Sequence, residues 1–333
     1  MADSLSLVKF AETATDYATD NKLHLHSQLL APGLDGIPGS PIKPLGEFVQ
    51  SIPTKDRILL TDFKVGEVLQ PDKREGFTPT DDVVKFEPRW AEVVEAKINL
   101  LFPEKKLVAL QKTYLGMIAN PSSAKLVLDK FPVFEAMVLD RILKQAKSEI
   151  RNIALWKGVR NLNLKKPQAI FTGWLKQIDD AIIANLIKSS QIAVINAITA
   201  SNAVAEFKKI VKLLPAEYLY SDQLVMLVAP QHLADYDTNY QATRGNIIYN
   251  TQFNQRFIEG TLIEMCVEPG LAGNETPILT TRNNLCFLYD DDFDSMTFKF
   301  DYNPRSEDLA LILKFQAQPD IIDFSEMWMG NVL

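Results

Sequence analysis

The chain has 333 residues, of which 47% are hydrophobic and 23% are charged, as in an ordinary globular protein. This length predicts two domains or one large, elaborated domain. The net charge of −7 argues against a protein that coats nucleic acid through an excess of cations. With two cysteines, Cys266 and Cys286, the chain cannot form a disulfide framework, which favours a reducing compartment.

The first part of the chain differs in composition from the rest. Residues 30–48, LAPGLDGIPGSPIKPLGEF, contain four prolines and four glycines, which forbid a helix and disfavour a central strand. Apolar residues nevertheless recur regularly in this stretch: Leu34, Ile37, Ile42, Leu45 and Phe48. We therefore favour an extended arm over residues 1–55 that lies on another surface, rather than a flexible leader.

A long β-hairpin is predicted over residues 56–102. Two β-rich runs, 58–70 and 83–102, flank a charged tip that contains Pro and Gly, residues 71–82. A solvated loop would account for the tip alone. Because a two-stranded ribbon is only marginally stable in water, however, a hairpin of this length predicts a partner surface.

The strongest helical pattern covers residues 133–157. Its apolar residues recur at steps of three and four, and Gly158 follows as a helix-terminating residue. The apolar surface is wider than a single stripe, which is typical of a helix that is central to a domain or shared with a neighbour. The periodic residues are Phe134, Val138, Ile142, Ala146, Ile150 and Ile153.

The remainder of the chain mixes helices and strands. Helices are predicted over 173–188 and 202–214, and the apolar run LVMLVAP (224–230) indicates a fully buried strand. The stretch 181–200 carries a single charge, but its polar residues are too many for a membrane span, so no membrane partner is expected. Further strands are predicted over 256–269, 277–281, 285–290, 296–303 and 309–322. The fold class is therefore α+β.

No motif for catalysis or cofactor binding was found in the sequence. It contains no GxxxxGK[ST], no GxGxxG after a strand, no HExxH, no CxxC and no GxSxG. Cys266 and Cys286 lie among apolar residues and are interpreted as core residues. We accordingly predict no catalytic, cofactor-binding or metal-binding residues, no cofactor, and a protein that is not an enzyme.

The sequence contains two weak candidates for a metal site. His24 and His26 alternate with leucines and would share one side of a strand-like segment, but no nearby carboxylate or thiol completes a site. His232, near a predicted helix start, is interpreted as a surface residue. An acidic run could bind Ca²⁺ but lacks the Gly and distal Glu of an EF-hand loop, so a solvated turn is preferred. The run consists of Asp290, Asp291, Asp292 and Asp294.

The order of these segments resembles the major capsid proteins of tailed bacteriophages, which have the Hong Kong 97 fold. FTPTDDVVKFEPRWAEVVEAKINL (77–100) is similar to the return strand of that family's E-loop, and LDRILKQAKSEIRNIALWKGVRN (139–161) to its spine helix. LPAEYLYSDQLVMLVAPQHLADY (214–236) is similar to the passage from helix to strand in the axial domain. PILTTRNNLCFLYDD (277–291), followed by MTFKFDYNP (296–304), resembles the late strands.

The resemblance implies a division of the chain into five parts. They are an extended N-terminal arm (1–55), an E-loop hairpin (56–102), a peripheral domain with the spine helix 133–157 (103–170), an axial domain (171–290), and return strands of the peripheral domain with the C-terminus (291–333).

The function implied is that of a structural subunit. Such subunits assemble as hexamers and pentamers into an icosahedral shell that encloses double-stranded DNA without sequence-specific binding, and the expected location is the virion after assembly in the host cytoplasm. Scaffold, portal and decoration proteins are the further partners the resemblance admits. The candidate inter-subunit contacts are Leu34, Ile37, Ile42, Phe48, Lys73, Arg74 and Glu75.

Two alternatives stay open at this stage. An encapsulin-like compartment would share the fold and hold a protein cargo, but encapsulins typically begin with a cargo-facing helix, whereas a Pro- and Gly-rich arm favours a phage head. A soluble α+β enzyme or binding protein would require a pocket built from residues that the sequence does not bring together.

Overall fold

The computed structural model describes residues 7–30, 42–65, 69, 84–131, 133–244, 257–290, 297–305 and 307–332. Most of the Pro- and Gly-rich stretch and the whole hairpin tip lie outside these described residues.

The N-terminal residues are helical. Helix α1 (Leu7–Asp20) and helix α2 (Lys22–Leu30) replace the predicted extended arm over this range, so that prediction was wrong for residues 7–30. Phe10, Ala14 and Ala18 recur at steps of four and are buried, forming one apolar helix face. The Phe10 ring lies 5.5 Å from that of Phe134. This apolar face can be buried only against the rest of the chain, which makes the helical form favourable.

The predicted spine helix is confirmed. Helix α5 (Phe134–Glu149) continues through a π-helical turn (Ile150–Ala154) into the short helix α6 (Leu155–Lys157). Gly158, which follows, has an extended backbone with φ −62° rather than the left-handed conformation of a helix-terminating glycine. A Cβ at Gly158 would lie 2.5 Å from the carbonyl oxygen of Phe171. Gly158 is therefore required for a close backbone approach, and the capping interpretation was wrong.

A first sheet is organised around β11 (Asp308–Ile321), and we call it the β11 sheet. The first half of β11 lies between β4 and β10, and its second half pairs with β9, which in turn pairs in parallel with β1. Helices α3 and α4 follow β4 directly. The elements are β1 (Val49–Pro53), β4 (Val94–Pro103), α3 (Glu104–Ala119), α4 (Pro121–Lys130), β9 (Leu285–Tyr289) and β10 (Thr297–Asn303).

A second sheet, the β6 sheet, has the strand order β5-β12-β8-β6-β7. Its last strand in the chain, β12 (Met327–Val332), pairs with β5 and β8, whereas β10 and β11, which precede it in the predicted 291–333 segment, belong to the β11 sheet. Strand β12 belongs to the β6 sheet because its residues pair in register with β5 and β8, although it follows β11 in the chain. The other elements are α7 (Trp174–Ile183), β5 (Ile192–Ile195), α8 (Ala203–Val211), β6 (Leu224–Val228), α9 (Pro230–Arg244), β7 (Glu264–Val267) and β8 (Ile278–Thr281).

Strand β6 is buried on both faces, as its continuous apolar sequence predicted. Val225 and Leu227 join the core formed with the spine helix, whereas Leu224, Met226 and Val228 join the core formed with α8 and α9. The β6 sheet is therefore a layer between two apolar cores.

The predicted hairpin is present. Strands β2 (Arg57–Val65) and β3 (Val84–Glu92) pair antiparallel in continuous register, from Arg57 opposite Glu92 to Val65 opposite Val84. Only Val93 separates β3 from β4, so the returning strand of the hairpin leads directly into the β11 sheet. Among the described residues, no helix has the length and apolar character that a bilayer-spanning helix needs.

Candidate assembly surfaces

The two faces of the β2–β3 hairpin have different surroundings. Leu60 and Ala91, on one face, are buried together with Cys286 of strand β9. Leu59 and Trp90 are cross-strand partners and lie on the opposite face, where 57% of Trp90 is exposed. A tryptophan this exposed, on a strand whose other face is already packed, is a candidate contact with another protein surface.

A cation lies over the exposed tryptophan. The guanidinium carbon of Arg57 is 4.8 Å from the centre of the Trp90 ring. Such a stack holds both side chains in a defined orientation at modest energetic gain, about 0.5–1 kcal/mol at an exposed site. We call Arg57, Leu59 and Trp90 the outer hairpin face.

Arg89 connects the base of the hairpin to the β11 sheet, beside the apolar contact of Leu60 and Ala91 with strand β9. Arg89 Nη1 lies 2.7 Å from Asp320 Oδ1, its Nη2 donates to the carbonyl oxygen of Ile321, and its guanidinium lies 5.3 Å from the centre of the Phe324 ring. Burial raises the pKa of Asp320, and the charge of Arg89 opposes that rise. These contacts set the direction in which the hairpin leaves the subunit.

The α3–α4 pair presents a second apolar surface. None of the residues of α4, all of which are described, is buried. Leu115, Leu126 and Leu128 are exposed, Leu126 to 75%. A helix without a buried residue gains little from its own subunit, so α4 is expected to gain burial from a neighbour.

Further exposed apolar side chains occur at the end of α7 and on strand β5 of the β6 sheet. Ile183, which ends α7, is 83% exposed, and Val194 on β5 is 59% exposed. Leu186 between them is also exposed. Among the described residues β5 is at the edge of its sheet, so Val194 and the free backbone edge of β5 are candidate contacts with another chain.

Buried ion pairs join the spine helix to the rest of the subunit. Arg151 Nη2, in the π-helical turn, lies 2.6 Å from Glu268 Oε1 and donates to the carbonyl oxygen of Lys43 at 2.7 Å. Trp156 Nε1 donates to the same carboxylate at 3.2 Å. Burial raises the pKa of Glu268, and its pairing with Arg151 opposes this. The cluster joins the residues before β1, the spine helix and the loop after β7.

A second charged cluster lies on the other side of Lys43. Lys43 Nζ is 2.6 Å from Glu264 Oε1, and Arg282 Nη2 is 2.6 Å from Glu264 Oε2. Burial lowers the pKa of Lys43, but its contacts with Glu264 and Glu47 outweigh that effect and raise the pKa overall. The Lys43 ammonium and carbonyl therefore fix the chain where it enters the first sheet.

The predicted contact residues have different positions in the structure. Phe48 is completely buried in its own subunit's core, so its proposed role between subunits was wrong: the apolar spacing reflected packing within the chain. Ile42 is half-buried and packs against the core around α8 and α9. The remaining candidates lie outside the described residues: Leu34, Ile37, Lys73, Arg74 and Glu75.

Sequence reasoning missed the outer hairpin face. The alternation of β3 places Trp90 opposite the buried Ala91 face, and this signal was present in the sequence. Which of the two faces would be covered could not be read from the strand alone, because the covering residues, Cys286 and Leu288, are about two hundred positions away in the chain.

Two interpretations of histidines were wrong. His24 and His26 lie in helix α2, where positions two apart are on different faces, so they do not share one side as a strand would allow. His232 is buried, and its Nδ1 has no hydrogen-bond partner. No group of three or more potential metal ligands occurs among the described residues, and the run Asp291–Asp294 lies outside them.

Both cysteines are buried, as predicted. Burial raises the pKa of Cys266 to about 12 and raises that of Cys286 further. A thiol with so high a pKa is protonated at neutral pH and is a poor nucleophile. Neither cysteine contributes a reactive group to the surfaces described above.

The fold matches chains from several solved capsid structures. A chain of the satellite phage P4 procapsid, solved with the size determination (Sid) protein, matches with a TM-score of 0.52 and 16% identity, covering 85% of this chain and 92% of that one. A chain from the capsid of an empty GTA particle matches with a TM-score of 0.55 and 10% identity, covering 95% of this chain and 97% of that one. A chain from the structure of Mycobacterium phage Ogopogo matches with a TM-score of 0.51 and 10% identity, covering 86% of this chain and 90% of that one.

No family model and no curated protein matches the sequence. The structural similarity therefore carries the assignment at the level of the fold. The chain has the Hong Kong 97 capsid fold, an α+β fold with a β-hairpin, a spine helix and two sheets, which confirms the predicted fold class and resemblance.

Proposed function

We propose that this chain is the major capsid protein of a tailed phage, a structural subunit that assembles into a closed icosahedral shell. The proposal rests first on the fold, which this chain shares with chains of phage and GTA capsids over most of its length. A structural rather than an enzymatic role accords with surfaces that are apolar and open rather than concave.

The outer hairpin face is the observation that carries the proposal furthest. The hairpin is anchored at its base by Arg89, ordered by the Arg57–Trp90 stack, and apolar on the face that its own subunit leaves uncovered. Exposure of Trp90 is unfavourable in a free monomer and is relieved if a neighbouring subunit covers it. The α3–α4 surface and the β5 edge add further apolar area of the same kind.

The proposed assembly is homo-oligomeric, with hexamers and pentamers that close by heterologous contacts. Double-stranded DNA is the proposed content, held without sequence-specific binding, and a net charge of −7 accords with a container that does not bind its polyanionic content tightly. Scaffold, portal and decoration proteins are proposed as further partners. The proposed location is the virion, which would be assembled in the host cytoplasm.

An encapsulin-like compartment is the second candidate, and one observation favours it. The chain has helices α1 and α2 near its N-terminus, whereas the argument for a phage head assumed an extended arm there. These helices pack against the spine helix and the β11 sheet, with the Phe10 ring 6.1 Å from that of Phe300. The two candidates share the fold and differ in what the shell contains.

The contents of the particle separate these candidates. The chain is produced in cells, particles are isolated by sedimentation and treated with nuclease, and their nucleic acid and protein are measured. Shells with nuclease-resistant DNA support the phage head, whereas empty shells support a shell-forming subunit of either kind. A co-purifying protein filling, released only when the shell is opened, supports the compartment, and a slowly sedimenting monomer under all conditions contradicts both.

A further inference from the structure

A short loop after the spine helix presents apolar side chains to solvent, and we call it the 158–166 loop. Leu162 is 84% exposed, and Val159 and Leu164 are also exposed. The loop nevertheless has a fixed backbone: Val159 N donates to Gln168 O at 2.7 Å, and Asn161 N donates to Ala169 O at 3.0 Å. An ordered loop that exposes aliphatic residues loses little conformational entropy when a partner covers it.

The same loop carries positive charge. Lys165 and Lys166 follow Leu164 directly and are both exposed. Arg160, nearer the start of the loop, donates from Nη1 to the carbonyl oxygen of Ile170, which stiffens the loop further. In a chain with a net charge of −7, this loop is therefore a local basic and apolar surface that is complementary to an acidic, apolar one.

A groove with the opposite charge lies between α1 and β10, and we call it the α1–β10 groove. Its volume is about 680 Å³. Apolar side chains and carboxylates line it together, and Lys299 lies 3.5 Å from the Asp301 carboxylate at its edge. Its lining includes Val8, Glu12, Asp16, Phe300, Asp301 and Tyr302.

The loop and the groove lie near opposite ends of the spine helix. Helix α1 is fixed at the helix start, where Phe10 contacts Phe134 and Thr13 Oγ1 donates to Glu135 at 2.9 Å. The 158–166 loop begins where the helix ends, and a helix of this length spans about 36 Å at 1.5 Å per residue. The loop therefore cannot reach the groove of its own chain.

We propose that the 158–166 loop of one subunit docks into the α1–β10 groove of a second copy. Lys165 and Lys166 would face Glu12, Asp16 and Asp301, while the exposed aliphatic residues of the loop cover the apolar part of the groove. Because the two surfaces lie at opposite ends of one subunit, the contact runs head to tail and can propagate around a ring. The inference rests on the proposed shell function and names one of its contacts.

Paired charge reversal tests the contact in the full-length chain. K165E/K166E and E12K/D16K are each expected to abolish most particle formation, and the combined four-substitution variant is expected to restore it. The control K97E/K314E, which makes the same charge change at two exposed cross-strand partners of the β11 sheet, should not restore assembly to E12K/D16K. The inference would be overturned if K97E/K314E restored particle formation to E12K/D16K, or if K165E/K166E failed to restore it.

A second measurement does not depend on charge. A chain carrying both V8C and L162C is assembled and treated with a short bismaleimide linker, while the buried native cysteines stay unreactive. Because the two positions cannot meet within one chain, the contact predicts a ladder of covalent oligomers on a denaturing gel.

The outcomes separate the inference from the proposed function. Wild-type chain that forms no particles at all contradicts the proposed function. Intact particles without a ladder, or particles whose yield both charge reversals leave unchanged, contradict the docking contact alone.

Discussion

The Arg151 guanidinium lies 2.6 Å from the Glu268 carboxylate, and both side chains are buried. Arg151 belongs to the π-helical turn of the spine helix, and Glu268 follows strand β7 of the β6 sheet. A π-helical turn inserts an extra residue into the helix and redirects the side chains that follow it. The spine helix therefore contacts the end of the β6 sheet at this turn, and the ion pair holds the two elements together.

Removing one member of this pair is expected to destabilise the subunit strongly. In Glu268→Gln, the buried Arg151 guanidinium loses the carboxylate with which it forms a 2.6 Å ion pair, and breaking a buried pair in this way typically costs about 3–5 kcal/mol. The double variant R151M/E268L removes both charges and is expected to lose much less. Denaturant unfolding of the three proteins measures the difference, and a Glu268→Gln variant as stable as wild type would show that the pair is not needed.

The close approach of Gly158 and Gly173 gives a second prediction. Gly173 N donates to Gly158 O at 3.0 Å, and a Cβ at Gly158 would lie 2.4 Å from the carbonyl oxygen of Ala154. Gly158→Ala therefore forces the backbone apart and is expected to destabilise the subunit by more than about 2 kcal/mol.

Gly116 supplies the matched control for that substitution. It lies within helix α3, and a Cβ there would meet nothing within 4 Å. Gly116→Ala is expected to stabilise the subunit by about 0.5–1 kcal/mol, because alanine loses less backbone entropy in a helix. Thermal unfolding of both variants checks the contrast, and equal effects would refute the packing argument for Gly158.

The outer hairpin face predicts an effect on assembly without an effect on folding. Trp90→Ala removes an exposed ring and its stack with Arg57, which should lower subunit stability by about 1 kcal/mol or less. Shell formation should nevertheless be lost. Tyr220, 69% exposed and outside the hairpin, supplies the control: Tyr220→Ala should assemble normally. Shells of Trp90→Ala with wild-type yield would remove this face from the interface.

The buried His232 predicts a dependence of stability on pH. Burial lowers its pKa, and the carboxylates of Asp235 and Glu275 oppose that effect only in part. The unfolded chain takes up a proton as the pH falls through about 6.5, but the folded chain resists it, so stability is lost below that pH. His232→Gln should therefore lose less stability than wild type between about pH 7.5 and pH 5.5.

His24→Gln is the matched control for this titration, because His24 is exposed. It is measured beside wild type and His232→Gln in the same thermal unfolding series. Raised pKa values at Glu268 and Asp320 act in the opposite direction, since protonation there favours the folded state, and they are common to all three proteins. A His232→Gln profile parallel to wild type would contradict the argument.

Local patterns in the sequence predicted several elements correctly. The spacing of apolar residues predicted the position of the spine helix, and the continuous apolar run 224–230 predicted strand β6. Both patterns are local, because they arise from neighbouring residues of one element that are buried together. The β-rich runs on either side of a charged tip located the hairpin. Together with the order of segments, these were enough to indicate the fold.

Long-range packing accounts for most of what the sequence did not reveal. The Pro- and Gly-rich composition of residues 30–48 predicts an interface role for Phe48, because such a segment cannot bury enough surface to fold alone, but the core of its own subunit covers Phe48. Helices α1 and α2 depend on the spine helix, and β12 depends on its register with β5 and β8. The position of each of these elements depends on contacts with residues far away in the chain. A local sequence pattern holds no information about such contacts.

The central claim is that this chain forms closed shells, and electron microscopy of the purified full-length protein tests it most directly. We expect closed particles of uniform size, or rings of six and five subunits that close as concentration rises. A monodisperse monomer or small oligomer at every salt and protein concentration would contradict it, and would leave the exposed Trp90 without the neighbour that the fold implies.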